Sequence, residues 1–190
     1  MATFWRSIRF TIVFFVFLGL LYPFVTAGIG NLFFPFQAKG SIVQWQGKAV
    51  GSELIAQNTT DPGLFHPRPS VTKYAGNATG GSNLGPTNPA LVAEVRKNLQ
   101  SVEKENPGTP VNAIPSEMVE SSASGIDPDI SVQDALIQVP RIAHESGLSQ
   151  TYLEQLINQD RKGRFLGLWG GDPMVNVLQL NMAIIQKAGR

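Results

Sequence analysis

The sequence predicts an α+β protein: one N-terminal transmembrane helix followed by a single mixed, helix-rich extracytoplasmic domain with a short β-hairpin. Three observations predict it. No charged residue occurs between Phe10 and Ala38. Apolar residues recur at helical spacing in three later segments. Ile42, Val43 and Trp45 are separated from Ala49 and Val50 by Gln46-Gly47-Lys48, the spacing of a hairpin.

The run "FTIVFFVFLGLLYPFVTAGIG", starting at Phe10, is long enough to cross ~30 Å of hydrocarbon as a helix, with Pro23 tolerable as a kink. Arg6 and Arg9 precede it, so the positive-inside rule favours a cytoplasmic N-terminus. The expected division is a cytoplasmic segment 1–9, a membrane helix 10–31 and a periplasmic domain 32–190. Val25-Thr26-Ala27 resembles a signal-peptide cleavage site, but apolar residues continue through Phe36, longer than a signal core requires. A retained anchor is therefore expected. The chain has no cysteine, which removes disulfides, thiol nucleophiles and thiolate metal ligands together.

The outer domain is nearly neutral. Setting aside Arg6 and Arg9 leaves thirteen basic residues against fourteen acidic ones, with no clustered basic footprint for a nucleic acid. From Glu103 to Asp134 seven acids face Lys104 alone, a solvated face or a cation-attracting surface. Asp127 and Asp129 are the candidate cation-attracting pair in it, and Asp-Pro turn chemistry is the competing account of both.

Residues 58–88 are dense in Pro, Gly, Asn and Thr, too long for an ordinary connection and too rich in turn formers for a regular element. A helix over 89–105 follows, capped by Asn88 with Pro89 at its first position, its apolar stripe formed by Leu91, Val95, Leu99 and Val102. Asn106-Pro107-Gly108 ends it. "AIPSEMVESS" is expected to be irregular or extended. Ser131 can start the next helix, which Pro140 should break or kink before Ala143. Ser149 can cap "QTYLEQLINQ". After the basic link "DRKGRFLGLWGG", Asp172-Pro173 reads as the cap of a final helix, "MVNVLQLNMAIIQK".

Catalytic motifs fit poorly. "GGSNLG" lacks the G-x-G-x-x-G spacing and no Lys-Ser/Thr pair follows, so these loops do not read as nucleotide sites. His66 and His144 lack a second ligand at metal-site spacing, and no metal or other cofactor is expected on this chain. Ser70-x-x-Lys73 and Ser101-x-x-Lys104 match the S-x-x-K of membrane-anchored periplasmic serine enzymes. The second Ser-x-Asn element and the Lys-Thr-Gly strand of that chemistry are missing.

The stretch "GGSNLGPTNP" (80–89) reads instead as a shaped loop. Gly80, Gly81, Gly85 and Pro86 limit bulk or flexibility, which lowers the ordering cost of docking, and Asn83 and Thr87 are its candidate partner-contacting side chains. Taken in order, "GSELIAQ" (51–57), "FHPRPS" (65–70), "GGSNLGPTNP", "SASGIDPDIS" (122–131), "QVPRIA" (138–143) and "VNVLQLN" (175–181) resemble the C subunit of the bacterial high-affinity potassium-transporting P-type ATPase. Ala56, Pro67, Asp129 and Met174 depart from the family pattern. The resemblance implies a non-catalytic subunit in the inner membrane. Its implied partners are a channel-like potassium-translocating subunit, an ATP-hydrolysing P-type pump subunit and a small membrane peptide. ATP, Mg²⁺ and potassium would be used by the complex. The alternative implied role is a catalytic chaperone that raises the pump subunit's ATP affinity, which an outward domain could exert only through the membrane.

Overall fold

The computed structural model describes residues 1–163 and 171–189 in two compact units, Met1–Val50 and Gly51–Arg190. Most of the basic link lies outside the described residues.

In the first unit a single apolar helix runs from Ala2 to Phe33, with a mean hydropathy of 2.3 over its most apolar window and no burial within the chain. It comprises α1 (Ala2–Val16), a π turn (Phe17–Leu21) and α2 (Tyr22–Phe33). The π turn has a local cause. Pro23 has no N–H for the carbonyl of Gly19 and its ring crowds that carbonyl, so the backbone widens just before it. The Tyr22 N–H bonds to Phe17 O instead. The short α3 (Pro35–Ala38) follows. Strands β1 (Ile42–Trp45) and β2 (Lys48–Ser52) then form the expected hairpin. Gln46 and Gly47 take φ of 49° and 77°, the left-handed pair that matches the twist of a two-residue hairpin.

The second unit contains α4 (Pro89–Glu105), β3 (Asp129–Ser131), α5 (Val132–Ser146), α6 (Gln150–Asp160), β4 (Met174–Asn176) and α7 (Val177–Ala188). Its main core joins α5, α6 and α7 through Ile142, Leu153, Ile157, Leu180 and Ile184, all 0% exposed. Burying each such side chain is worth about 1.5–3 kcal/mol, enough to fix how these three helices pack. A smaller cluster of Val102, Met118 and Val119 packs α4 onto the rest.

Local signals set most helix starts. Asn88 Oδ1 accepts from the Ala90 N–H at 2.9 Å, Ser131 Oγ from Asp134 at 3.1 Å and Ser149 Oγ from Tyr152 at 3.2 Å. Three expectations are corrected. The segment 111–118 forms two short 3₁₀ turns, Val111–Ala113 and Ser116–Met118, each following a proline. Helix α5 runs unbroken through Pro140, because buried Gln138, Val139 and Ile142 hold both sides of it against the core. The last helix is capped by Asn176, not Asp172, because Met174–Asn176 is drawn into an antiparallel pair with β3. Asn176 Oδ1 accepts from the Gln179 N–H at 3.2 Å.

Candidate functional site

No regular element forms between Glu53 and Asn88, yet that stretch is ordered by side chains reaching it from the helices. Phe65, 0% exposed, is held at both of its backbone groups by one amide: its N–H donates to Asn181 Oδ1 at 2.7 Å, and its carbonyl accepts from Asn181 Nδ2 at 2.9 Å. The next residue is held in the same way. The His66 N–H donates to Gln138 Oε1 at 2.8 Å and its carbonyl accepts from Gln138 Nε2 at 3.1 Å. A carboxamide presents one donor and one acceptor at the spacing of a peptide group, so each side chain does for the strap what a neighbouring strand would do. Arg141 completes the support, donating to the carbonyls of Pro62 and Leu64 and to Gln138 Oε1. The motifs "FHPRPS", "QVPRIA" and "VNVLQLN" are thus one constellation.

Further along, Arg68 donates to Asp127 Oδ2 at 3.2 Å and the Tyr74 hydroxyl donates to the Arg68 carbonyl at 2.9 Å. Asp127 Oδ1 also accepts from the Asp129 N–H at 3.2 Å, the expected Asx turn. Asp129 accepts from Lys162 Nζ at 3.1 Å and from Asn176 Nδ2 at 3.0 Å. Each of the two aspartates therefore already faces a cation. Ser70 Oγ donates to the Gly125 carbonyl and accepts from the Tyr74 N–H at 3.0 Å, while Ser101 Oγ donates to Lys97 O at 3.4 Å on the exposed face of α4. Both S-x-x-K hydroxyls serve local structure.

The loop "GGSNLGPTNP" divides in two. Its first part packs inward: the Gly80 N–H donates to Ser124 O at 2.8 Å, and a Cβ on Gly81 would come within 3.2 Å of the Ala123 carbonyl oxygen. Gly125 closes this contact from the other side. Its φ is +70° and a Cβ there would lie 2.6 Å from Thr72 Oγ1 and 2.8 Å from Gly80 O, so no larger residue fits without displacing backbone. The second part faces out, with Asn83, Gly85, Pro86 and Thr87 exposed. Asn83 has φ 54°, a left-handed conformation that Asn tolerates better than most side chains.

Between the strap and α4 lies a cleft of about 220 Å³. Its lining includes His66, Tyr74, Asn98, Glu105, Met118 and Asp134. Asp134 is 2% exposed and its Oδ1 accepts from Gln138 Nε2 at 2.7 Å. Burial pushes its carboxyl up to about 7, opposed by the Gln138 hydrogen bond and reinforced by the negative charge of Glu117. Across the cleft, Glu105 Oε2 lies 3.1 Å from His66 Nδ1, and that hydrogen bond holds Glu105 below its ordinary value. Burial raises the Tyr74 phenol. Sequence reasoning missed Asp134, Gln138, Arg141 and Asn181 as a unit. The one available signal was a polar residue set within an apolar face, as Asn181 is in "VNVLQLN".

The fold defines a class: an α+β domain of side-chain-braced loops in a chain that also carries one N-terminal apolar helix long enough to span a bilayer. The family model described as the K⁺-transporting ATPase c chain, KdpC, matches residues 4–186. A potassium-transporting ATPase KdpC subunit of Caldanaerobacter subterraneus subsp. tengcongensis is 48% identical over 182 residues, 96% of this chain and 94% of that protein. Those of Methylobacterium nodulans and Koribacter versatilis are 44% and 42% identical, covering 90% and 93% of this chain and 90% of each relative. The chain belongs to the KdpC family, subunits of the K⁺-transporting ATPase.

Proposed function

We propose that the chain is a non-catalytic, assembly-stabilising subunit that docks its second unit on the outer face of the potassium-translocating subunit. The observation that carries this reading is the divided loop at 80–89. One half is locked to the 122–125 turn and the other displays Asn83, Gly85, Pro86 and Thr87 to solvent. A rigid base under an exposed tip loses little freedom on binding, which favours docking. The hydroxyls of Ser70 and Ser101, occupied by local hydrogen bonds, support the absence of nucleophilic chemistry. Arg6 and Arg9 before the apolar run support a cytoplasmic N-terminus and a periplasmic domain, with the helix in the inner membrane. The P-type pump subunit and a small membrane peptide are the remaining proposed partners.

The test uses single cysteines introduced into this cysteine-free chain. A membrane-impermeant reagent on intact cells should label Cys at Gln100, exposed on α4, and spare Cys at Ala2. Labelling of the Ala2 position alone would reverse the topology and place the domain where the pump subunit meets ATP, the arrangement that a nucleotide-affinity role needs.

A further inference from the structure

The cleft beside α4 shares Gln138 and His66 with the strap, whose amide clamp Asp134 helps to orient, but the open volume in front of Asp134 is used by neither the strap nor the docking loop. Asp134 sits at the third position of α5, almost wholly shielded, yet it lines an opening to solvent. Two arginines lie near enough to favour its ionised form, but neither is bonded to it: Arg68 Nη1 donates to Asp127 while its buried Nε has no hydrogen-bond partner, and Arg141 donates to Gln138 and the carbonyls of Pro62 and Leu64. A carboxylate placed this way lacks a bonded counter-charge and has a cavity in front of it. Volume and lining restrict what could supply that charge. About 220 Å³ leaves room for a small organic ion rather than for one bound water alone. The walls are half hydrocarbon, from Val102, Met118, Pro67 and Pro69. A bare metal ion needs oxygen on most sides, and among the described residues no group of three His, Asp or Glu side chains is placed to hold one. An ammonium head on a short alkyl body matches both parts of the lining. Tyr74 adds an aromatic wall, and Asn98, whose Nδ2 donates to Val119 O at 2.8 Å, retains its carbonyl oxygen as an acceptor.

Tyr74 and its neighbour Lys73 also take left-handed backbone conformations, φ 57° and 54°. Such strain in two consecutive non-glycine residues is sustained by surrounding bonds, here those from Tyr74 to Ser70 Oγ and to Arg68 O. The ring is thereby held on the cleft.

We infer that this cleft is a binding site for a small aliphatic ammonium ion, with Asp134 as its counter-charge and Tyr74, Val102 and Met118 receiving the alkyl part. The site stands independently of the docking loop. Binding requires the ionised carboxylate, so it strengthens as pH rises through about 7. The charged or titratable groups facing Asp134 or its cleft are Glu117 from the second 3₁₀ turn, Arg68 from the strap, Arg141 from its own helix, His66 and Glu105 across the cleft, and Tyr74, whose phenol burial raises. Glu105, held low by His66, stays ionised through this range.

The experiment uses the full-length chain in detergent micelles, titrated with propylammonium chloride while sodium chloride keeps ionic strength constant. Thermal unfolding at pH 8 should show a saturable rise of several degrees that fades at pH 5.5. Potassium chloride and tetramethylammonium chloride should give none, the first lacking an alkyl body and the second lacking N–H donors. Asp134→Asn keeps the acceptor for Gln138 and should abolish the response. Should that variant fold poorly, Ser101→Trp, placed at the exposed mouth, fills the cleft with Asp134 intact and should abolish the response equally. An undiminished response in either folded variant overturns the site, as does a response that ignores pH. Potassium matching propylammonium would overturn the ammonium assignment.

Discussion

Two irregular stretches of the same long connection are ordered by opposite means. Residues 62–66 are held from outside by amides and a guanidinium that belong to α5 and α7. Residues 80–87 are held by their own backbone and by the 122–125 turn, and then turn outward. The difference teaches that a segment without helix or strand can carry either the interior or the surface. What separates them is where their N–H and C=O groups find partners.

The largest way to break this contrast is Asn181→Leu. The substitution fits an apolar helix but leaves the buried Phe65 N–H and carbonyl unpaired, costing about 3 kcal/mol in urea unfolding. Gln138→Leu should cost as much. The double variant should fall short of the sum, because both clamps hold adjacent residues of one strap. A milder change separates the helix start from the display tip: Asn88→Ala removes a cap and should cost ~1 kcal/mol. Smallest in stability is Asn83→Gly with Thr87→Ala, within ~0.5 kcal/mol of the parent, and co-purification of the complex should nevertheless fall. Glycine is the sharper probe than alanine at 83, because it removes the side chain while keeping φ at 54° accessible. Normal assembly of that double variant would remove the docking role of the tip.

A pH comparison sharpens the interior side of the contrast. In the folded chain Asp134 holds its proton to about 7, against about 4 for an ordinary carboxyl, so the folded state binds more protons in that window. Its contribution to stability is therefore full at low pH and is lost as pH rises through about 7. Unfolding at pH 5 and pH 8 should show this loss in the parent and not in Asp134→Asn, provided the Glu105–His66 pair is left unchanged.

What could be read beforehand followed the range of the controlling interactions. Pro89–Glu105 was legible because its cap, its proline and its stripe lie within one segment. The pairing of Ile130 with Val175 was not, since three-residue strands carry almost no periodic signal and the partner is 45 residues away in sequence. The same pairing made Asp172-Pro173 misleading as a cap, because a signal of equal local quality at Asn176 had a sheet behind it. Pro140 misled for a related reason: the packing of its neighbours outweighed one missing helical bond. At the loop, composition identified the shaped turn, but the contact with the 122–125 turn is what separates the inward Gly80-Gly81 from the outward Asn83 and Thr87. The strap was invisible for a chemical reason. An amide in a helix reads as solvent-facing until the backbone it grips, more than 70 residues earlier, is placed beside it.

The π turn before Pro23 puts the long helix out of phase with itself. One wide turn takes up roughly one residue more than an α turn, which rotates everything after it by about 100° relative to a regular helix. A stripe drawn at seven-residue steps from Phe10 through Phe17 therefore leaves its own face by Phe24. Any surface that grips both halves must follow a broken line, and deleting a single residue between Phe17 and Leu21 would realign the halves only by returning the Pro23 ring to the carbonyl four residues before it.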